Sequence, residues 1–146
     1  MSALRKLIVL LVEDEPADAH LVRLAFEEGH VLVDLHHVGD GVEAFAFLRN
    51  EDAYSDVPTP DLILLDLNMP RMDGRQFLQK IKLDVALHSL PVVVLTTSDA
   101  ESDMLHSYNH SAAGFIVKPV DVEDFLRIVR GIGDYWVNIV RLPEHN

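Results

Sequence analysis

Five polar residues in this sequence mark the ends of four short apolar runs: Glu13 and Asp14 follow Leu7 to Val12, Asp66 follows Leu62 to Leu65, Thr96 follows Val92 to Leu95, and Lys118 follows Phe115 to Val117. If those runs are strands of one sheet, three carboxylates, a hydroxyl and an ammonium meet at a single edge. Carboxylates brought close repel one another unless a cation joins them, and an all-oxygen donor set selects a hard ion such as Mg²⁺. Asp66 is then the best nucleophile, because the metal screens its charge against an incoming phosphoryl donor and attack yields an aspartyl-phosphate. Lys118 can neutralise a phosphoryl oxygen as a point charge, and Thr96 can hydrogen-bond another. Asn68 is placed to add a ligand through its backbone carbonyl, Pro70 shapes the turn, and Gly74 frees the backbone before the next helix. One acid at a strand end reads as a solvated loop residue. Four strands ending in complementary groups at one edge do not read that way.

The elements that must position these groups follow from periodicity. Short apolar runs alternate with segments of helical period, the pattern of a parallel sheet buried on both faces. Strands are expected at Leu7–Val12, Val31–Val38, Leu62–Leu65, Val92–Leu95 and Phe115–Val117, the second at an edge because it is less purely apolar. Helices are expected from Pro16 to Gly29 with Leu21, Leu24 and Ala25 inward, over Val42–Leu48 with Ala44, Phe45 and Leu48 inward, and over Gly74–Leu83 with Phe77, Leu78 and Ile81 inward. A weak helical segment runs from Glu101 to about His110. The last helix, about 122–140, carries Phe125, Ile128, Val129, Ile132, Trp136, Ile139 and Val140 as an apolar stripe. A long polar loop spans Asn50 to Pro60. Right-handed crossovers then give an α/β, flavodoxin-like, five-stranded parallel sheet of order 2-1-3-4-5 with helices on both faces, and ligands in such sheets bind at the carboxyl ends of the strands.

Composition agrees with one domain over residues 1–146: the chain has 24 acidic and 12 basic residues, a formal charge of −12 and no cysteine. The absence of cysteine excludes disulfides, thiolate metal sites and thiol catalysis, and fits a reducing, cytoplasmic compartment. The longest apolar run is six residues, so neither a membrane span nor an export signal is expected. The negative surface argues against nucleic acid as a partner, and the acids concentrate in the first two thirds of the chain.

Four segments, LVEDEP from Leu11, DLILLDLNMPRMDG from Asp61, VVVLTTSDA from Val92 and GFIVKPV from Gly114, together resemble the receiver domains of bacterial two-component response regulators. The resemblance spans nearly the whole chain. It implies that Asp66 accepts phosphoryl from a sensor histidine kinase, with Glu13, Asp14, Asp66 and the Asn68 carbonyl holding Mg²⁺. It also implies that Thr96 and Phe115 act as a switch pair and that the Lys118–Pro119 bond is cis. Phe115 reads equally as a plain core aromatic, and lacking a hydroxyl it has no hydrogen-bonded inward state. The long Asn50–Pro60 loop and the chain end from Gly131 to Pro143 are similar to the single-domain regulators that accompany phytochrome-type kinases. Such regulators form homodimers through the face made by the fourth helix, fifth strand and last helix.

Tyr135 and Trp136 either cap the edge of the core or join that partner surface, and the partner surface is favoured. Gly39, Gly41 and Ala44 spell a dinucleotide fingerprint, rejected because the motif belongs in the first strand-to-helix turn, which here carries acids. His106 and His110 lie four apart but lack a third ligand nearby in sequence. Three functions stay in view: a phosphoacceptor switch that is not an enzyme, a phosphorylation-independent binding module, and an aspartyl-phosphate hydrolase. The hydrolase would need a DxD at the end of its first strand and a cap or larger substrate domain, whereas Asp66 lies on the third strand followed by Leu67 and Asn68, and no cap fits.

Overall fold

Runs of leucine, isoleucine and valine form five parallel strands: β1 (Leu7–Val12), β2 (Val33–Val38), β3 (Leu62–Asp66), β4 (Val92–Thr96) and β5 (Gly114–Val117). The structure is a computed structural model and describes residues 6–30, 32–67, 71–72, 74–96, 114–117 and 121–136. The strand order is β2-β1-β3-β4-β5. All of β3 is buried, whereas most of β2 is only half-buried, as an edge strand should be.

Outside β2, which carries Asp34, His36 and His37, the strands are apolar up to their last residues, and successive side chains point to opposite faces and feed two separate cores. Leu7, Val9, Leu11, Leu62, Leu64, Val93 and Leu95 pack under α1 (Pro16–Glu28) and the last described helix, α4 (Val122–Asp134). Leu10, Val12, Ile63, Leu65 and Val94 pack on the other side with Phe45, Phe47, Phe77 and Leu78 from α2 (Gly41–Leu48) and α3 (Gly74–Leu83). Short polar residues start the helices. The Glu15 carboxylate accepts from the Ala17 amide at 3.3 Å, with Pro16 at the first helical position. Asp40 accepts from the Glu43 amide at 2.9 Å, and Asp121 from the Glu123 amide at 2.8 Å. Asp61 ties the strands together: its carboxylate accepts from the Ile8 amide at 2.9 Å, and its own amide donates to the Ile8 carbonyl.

Several sequence expectations need revision. The face α1 buries is Ala19, Val22, Ala25 and Phe26; Leu21 and Leu24 are only partly buried at its rim. In α2 the buried set includes Phe47, and Leu48 is partly covered. Gly29 ends α1 in an ordinary conformation with φ −80°, and it is His30 that turns left-handed at 54°. A Cβ at 29 would lie 2.7 Å from the Arg130 side chain, which would have to move aside to admit it. The Asn50–Pro60 loop contains a 3₁₀ turn at Asp52–Tyr54. The Asn50 amide donates to the carbonyls of Tyr54 and Val57, and Tyr54 packs on Phe47.

The helix expected at 101–110, with His106 and His110, lies outside the described residues, as does the last helix beyond Trp136. Among the described residues, no helix is long and apolar enough to cross a membrane.

Phe77 of α3 is fully buried in the core that α2 and α3 share on one side of the sheet, its ring 5.0 Å from that of Phe45 on α2. Phe77→Ala is expected to lower unfolding free energy by about 3–5 kcal/mol in a urea titration.

Candidate functional site

The carboxyl edge of the sheet is set by register. Val12 pairs with Leu65 and Asp66 with Leu95, so Glu13, one residue past Val12, is brought level with Asp66, the last residue of β3. The carboxylate oxygens of Glu13, Asp14 and Asp66 lie within 4.8 Å of one another. Glu13 and Asp66 are buried, at 1% and 8% exposure, while Asp14 is exposed and faces solvent. Two like charges 4 Å apart repel by roughly 4 kcal/mol at an effective dielectric near 20, so this grouping calls for a cation. The donor set fits a hard divalent ion: all ligands are oxygens, and one exposed acid leaves room for water or a phosphate oxygen to complete the shell.

Backbone bonds fix the acids from behind. The Glu13 amide donates to the Val38 carbonyl at 3.0 Å, and His37 donates from Nε2 to the Glu13 carbonyl at 2.7 Å. Thr96 ends β4, paired with Val117, and Phe115 pairs with Val94, so both strands reach the same edge. Asn68, Lys118 and Pro119, and with them the expected cis bond, lie outside the described residues, as does Pro70.

Gly74 serves the site by steric necessity. Its φ is not positive; instead its amide donates to the Leu67 carbonyl at 2.9 Å. A Cβ at this position would lie 2.6 Å from the Asp66 carbonyl oxygen and from the Leu67 Cα. The return of the loop after Asp66 therefore needs a residue with no side chain.

Next to this loop stands a polar pair that the sequence reading passed over. Arg71 donates from Nε to the Asp40 carboxylate at 2.7 Å, while the other Asp40 oxygen caps α2. Burial pushes the Asp40 carboxyl up, but Arg71 and the amides of Glu43 and Val42 outweigh it and hold the carboxyl below its ordinary value. Nearby, burial and the Glu43 carboxylate push the Tyr54 phenol up; its hydroxyl donates to Glu43 at 3.1 Å. The only readable signal was the pattern D-G before a helix at Asp40; a partner 31 positions away leaves no trace in spacing.

At the chain end, Trp136 packs against the core under α1 and α4, and Tyr135 is 48% exposed, its ring 5.0 Å from that of Trp136. The two aromatics thus divide between the core edge and the outer surface.

Comparison with known proteins gives a consistent result. A family model described as the response regulator receiver domain matches residues 9–130. Response regulator Rcp1 of Synechocystis sp. is 40% identical over 136 residues, covering 93% of this chain and 92% of the relative. A solved structure of the phosphorylated cyanobacterial phytochrome response regulator RcpA superposes with a TM-score of 0.89 at 41% identity, covering 96% of this chain and all of that one. The Mn²⁺-bound form of Rcp1 gives a TM-score of 0.86 at 40% identity, covering 94% of this chain and 99% of that one.

Two outcomes follow from the site's geometry. Gly74→Ala should cost about 1–3 kcal/mol by overpacking against Asp66 and Leu67, seen as a lower urea midpoint with an unchanged slope. Asp40 is more acidic in the folded chain than in the unfolded one, so its pairing stabilises fully above the ordinary carboxylate pKa and is lost as pH falls through the lowered folded value. Arg71→Ala should be less stable than wild type at neutral pH and should lose less of its stability on acidification, because the folded and unfolded Asp40 carboxyls then titrate closer together; melting temperature from neutral to acid pH checks both.

Proposed function

The chain belongs to the response regulator receiver family of two-component signalling, and on that premise we propose that Asp66 accepts a phosphoryl group from a sensor histidine kinase and that the protein signals through the resulting surface change. The support for this reading is the gathering of Glu13, Asp14 and Asp66 within 4.8 Å at the carboxyl edge. Receiver domains bind a divalent metal at this acidic pocket, and the relative Rcp1 has been solved with Mn²⁺. Here we assign the ion as Mg²⁺, held by Glu13, Asp14, Asp66 and the Asn68 carbonyl. When bound, the ion supplies charge neutralisation for the carboxylates and for the phosphoryl group.

The chain's own residues divide the remaining work. Asp66 presents a carboxylate oxygen as nucleophile at the end of a rigid, fully buried strand. Lys118 compensates one phosphoryl oxygen, and the Thr96 hydroxyl takes another. In this reading Thr96 and Phe115 form the switch, and a cis Lys118–Pro119 bond aims the lysine. The phosphoryl group is held stoichiometrically and not turned over, so the chain is not an enzyme on outside substrates. Phytochrome-type kinases are the proposed partners, on the strength of the likeness to RcpA. A cytoplasmic location and the absence of nucleic-acid binding belong to the same proposal, supported by the −12 charge. The exposed Tyr135 favours a homodimer through the face built by the segment 101–110, β5 and the last helix.

Incubation with acetyl phosphate and Mg²⁺ should add about 80 Da, the mass of one phosphoryl group, to the wild type and nothing to Asp66→Ala. Turnover of small phosphate esters would favour a hydrolase, and no modification a phosphorylation-independent binding module. For the dimer, light scattering should give twice the chain mass with phosphoryl analogue bound; a monomer with and without analogue sinks it.

A further inference from the structure

The loop after Asp66 is held at three described points, and two of them reach across to the turn between β2 and α2. The first is the ion pair of Arg71 with Asp40 at 2.7 Å, in which the Asp40 side chain is 7% exposed and the Arg71 side chain more than half exposed. The second is the Gly41 amide, which donates to the Met72 carbonyl at 3.1 Å. Met72 also fills the space where a Cβ on Gly41 would stand, 2.8 Å from its sulfur. The third is the Gly74 amide on the Leu67 carbonyl at 2.9 Å, which closes the loop at its base.

Arg71 adopts this position at a cost. Its φ of 58° lies in the left-handed region, which disfavours a residue with a β-carbon and persists only where the surroundings impose it. A glycine would relieve the backbone. An arginine there is explained by what its side chain does, and Nε reaches the Asp40 carboxylate. Asp40 has two separate duties, one oxygen capping α2 through the Glu43 amide and the other receiving Arg71.

We propose that Asp40 and Arg71 are a positioning pair for the acidic site: by fixing Arg71 and Met72 to the β2–α2 turn, they hold the chain between Asp66 and α3 in place and thereby set the affinity of the site for its divalent ion. The pair touches neither Glu13, Asp14 nor Asp66 in any described contact, so it acts through the backbone. The inference rests on the metal-site reading of the three acids. It extends that reading to residues that carry no ligand atom.

The two duties of Asp40 can be separated by substitution. Asp40→Asn keeps a good helix cap and removes the ion pair, whereas Arg71→Ala removes the pair from the other side and Arg71→Lys keeps the charge. Hydrogen exchange of the full chain without metal reads the latch directly through the Gly41 and Gly74 amides, with amides inside β1 and β3 as internal reference. Mn²⁺ titration by calorimetry reads the consequence. Asp40→Asn and Arg71→Ala should speed exchange at Gly41 and Gly74 while the strand amides stay protected. Both should weaken Mn²⁺ binding by roughly tenfold, the low end of what outer-shell partners of metal sites contribute. The double variant should lose no more than either single one, and Arg71→Lys should recover part of the affinity. Unchanged exchange at both glycines overturns the latch. Faster exchange with Mn²⁺ affinity within twofold of wild type overturns the link to the site, as does a uniform rise in exchange that includes the strand amides. A wild type that takes up no Mn²⁺ would overturn the metal-site reading itself and the affinity half of this inference, and exchange at the glycines would still decide whether the latch exists.

Discussion

Like charges do not gather by themselves, and the sheet is what forces them together. Glu13 and Asp66 are buried at the ends of neighbouring strands whose apolar residues lock into two cores, one on each face. Strand register leaves these carboxylates nowhere else to go, since sliding β1 by one residue against β3 would send every side chain to the wrong face. Hydrophobic packing therefore holds in place an electrostatic tension that a cation can relieve. A flexible loop carrying the same three acids would let them part.

That arrangement explains why much of the molecule could be read from the chain. All strands but β2 are short apolar runs, and candidate site residues stand directly after them, so composition and position coincide at Asp66 and Thr96. Helix faces were harder. In α1 the expected Ala25 is fully buried, but Leu21 and Leu24 pack only at the rim of the core, and the rest of the buried face is Ala19, Val22 and Phe26, which the sequence reading passed over. Backbone conformation was less legible still. Gly74 was expected to free the backbone, but its φ is not positive and it is required by close approach to the backbone of Asp66 and Leu67, while His30 and Arg71 take left-handed positions. Steric room is a property of the partner element, and the sequence of one element does not carry it.

The same distinction separates the acids from the groups that surround them. Glu13, Asp14 and Asp66 are identified by chemistry that only carboxylates supply. Asp40 and His37 were passed over in the sequence, because their partners are a distant arginine and a backbone carbonyl. Outer contacts of this kind depend on tertiary geometry alone. They are also where relatives with identical ligands can differ in how firmly the site is held.

The polar character of β2 has a further consequence. As a terminal strand it presents one row of backbone groups that no other strand of the sheet covers. Asp34, His36 and His37 interrupt that row, with His36 bonded back to Asp34 at 3.1 Å. Charged and polar residues on a border strand discourage another chain from adding on in β-fashion, the route by which sheets polymerise. The sheet is thus guarded against fibrous growth on the side of β2, and association between folded copies is directed toward other faces of the molecule.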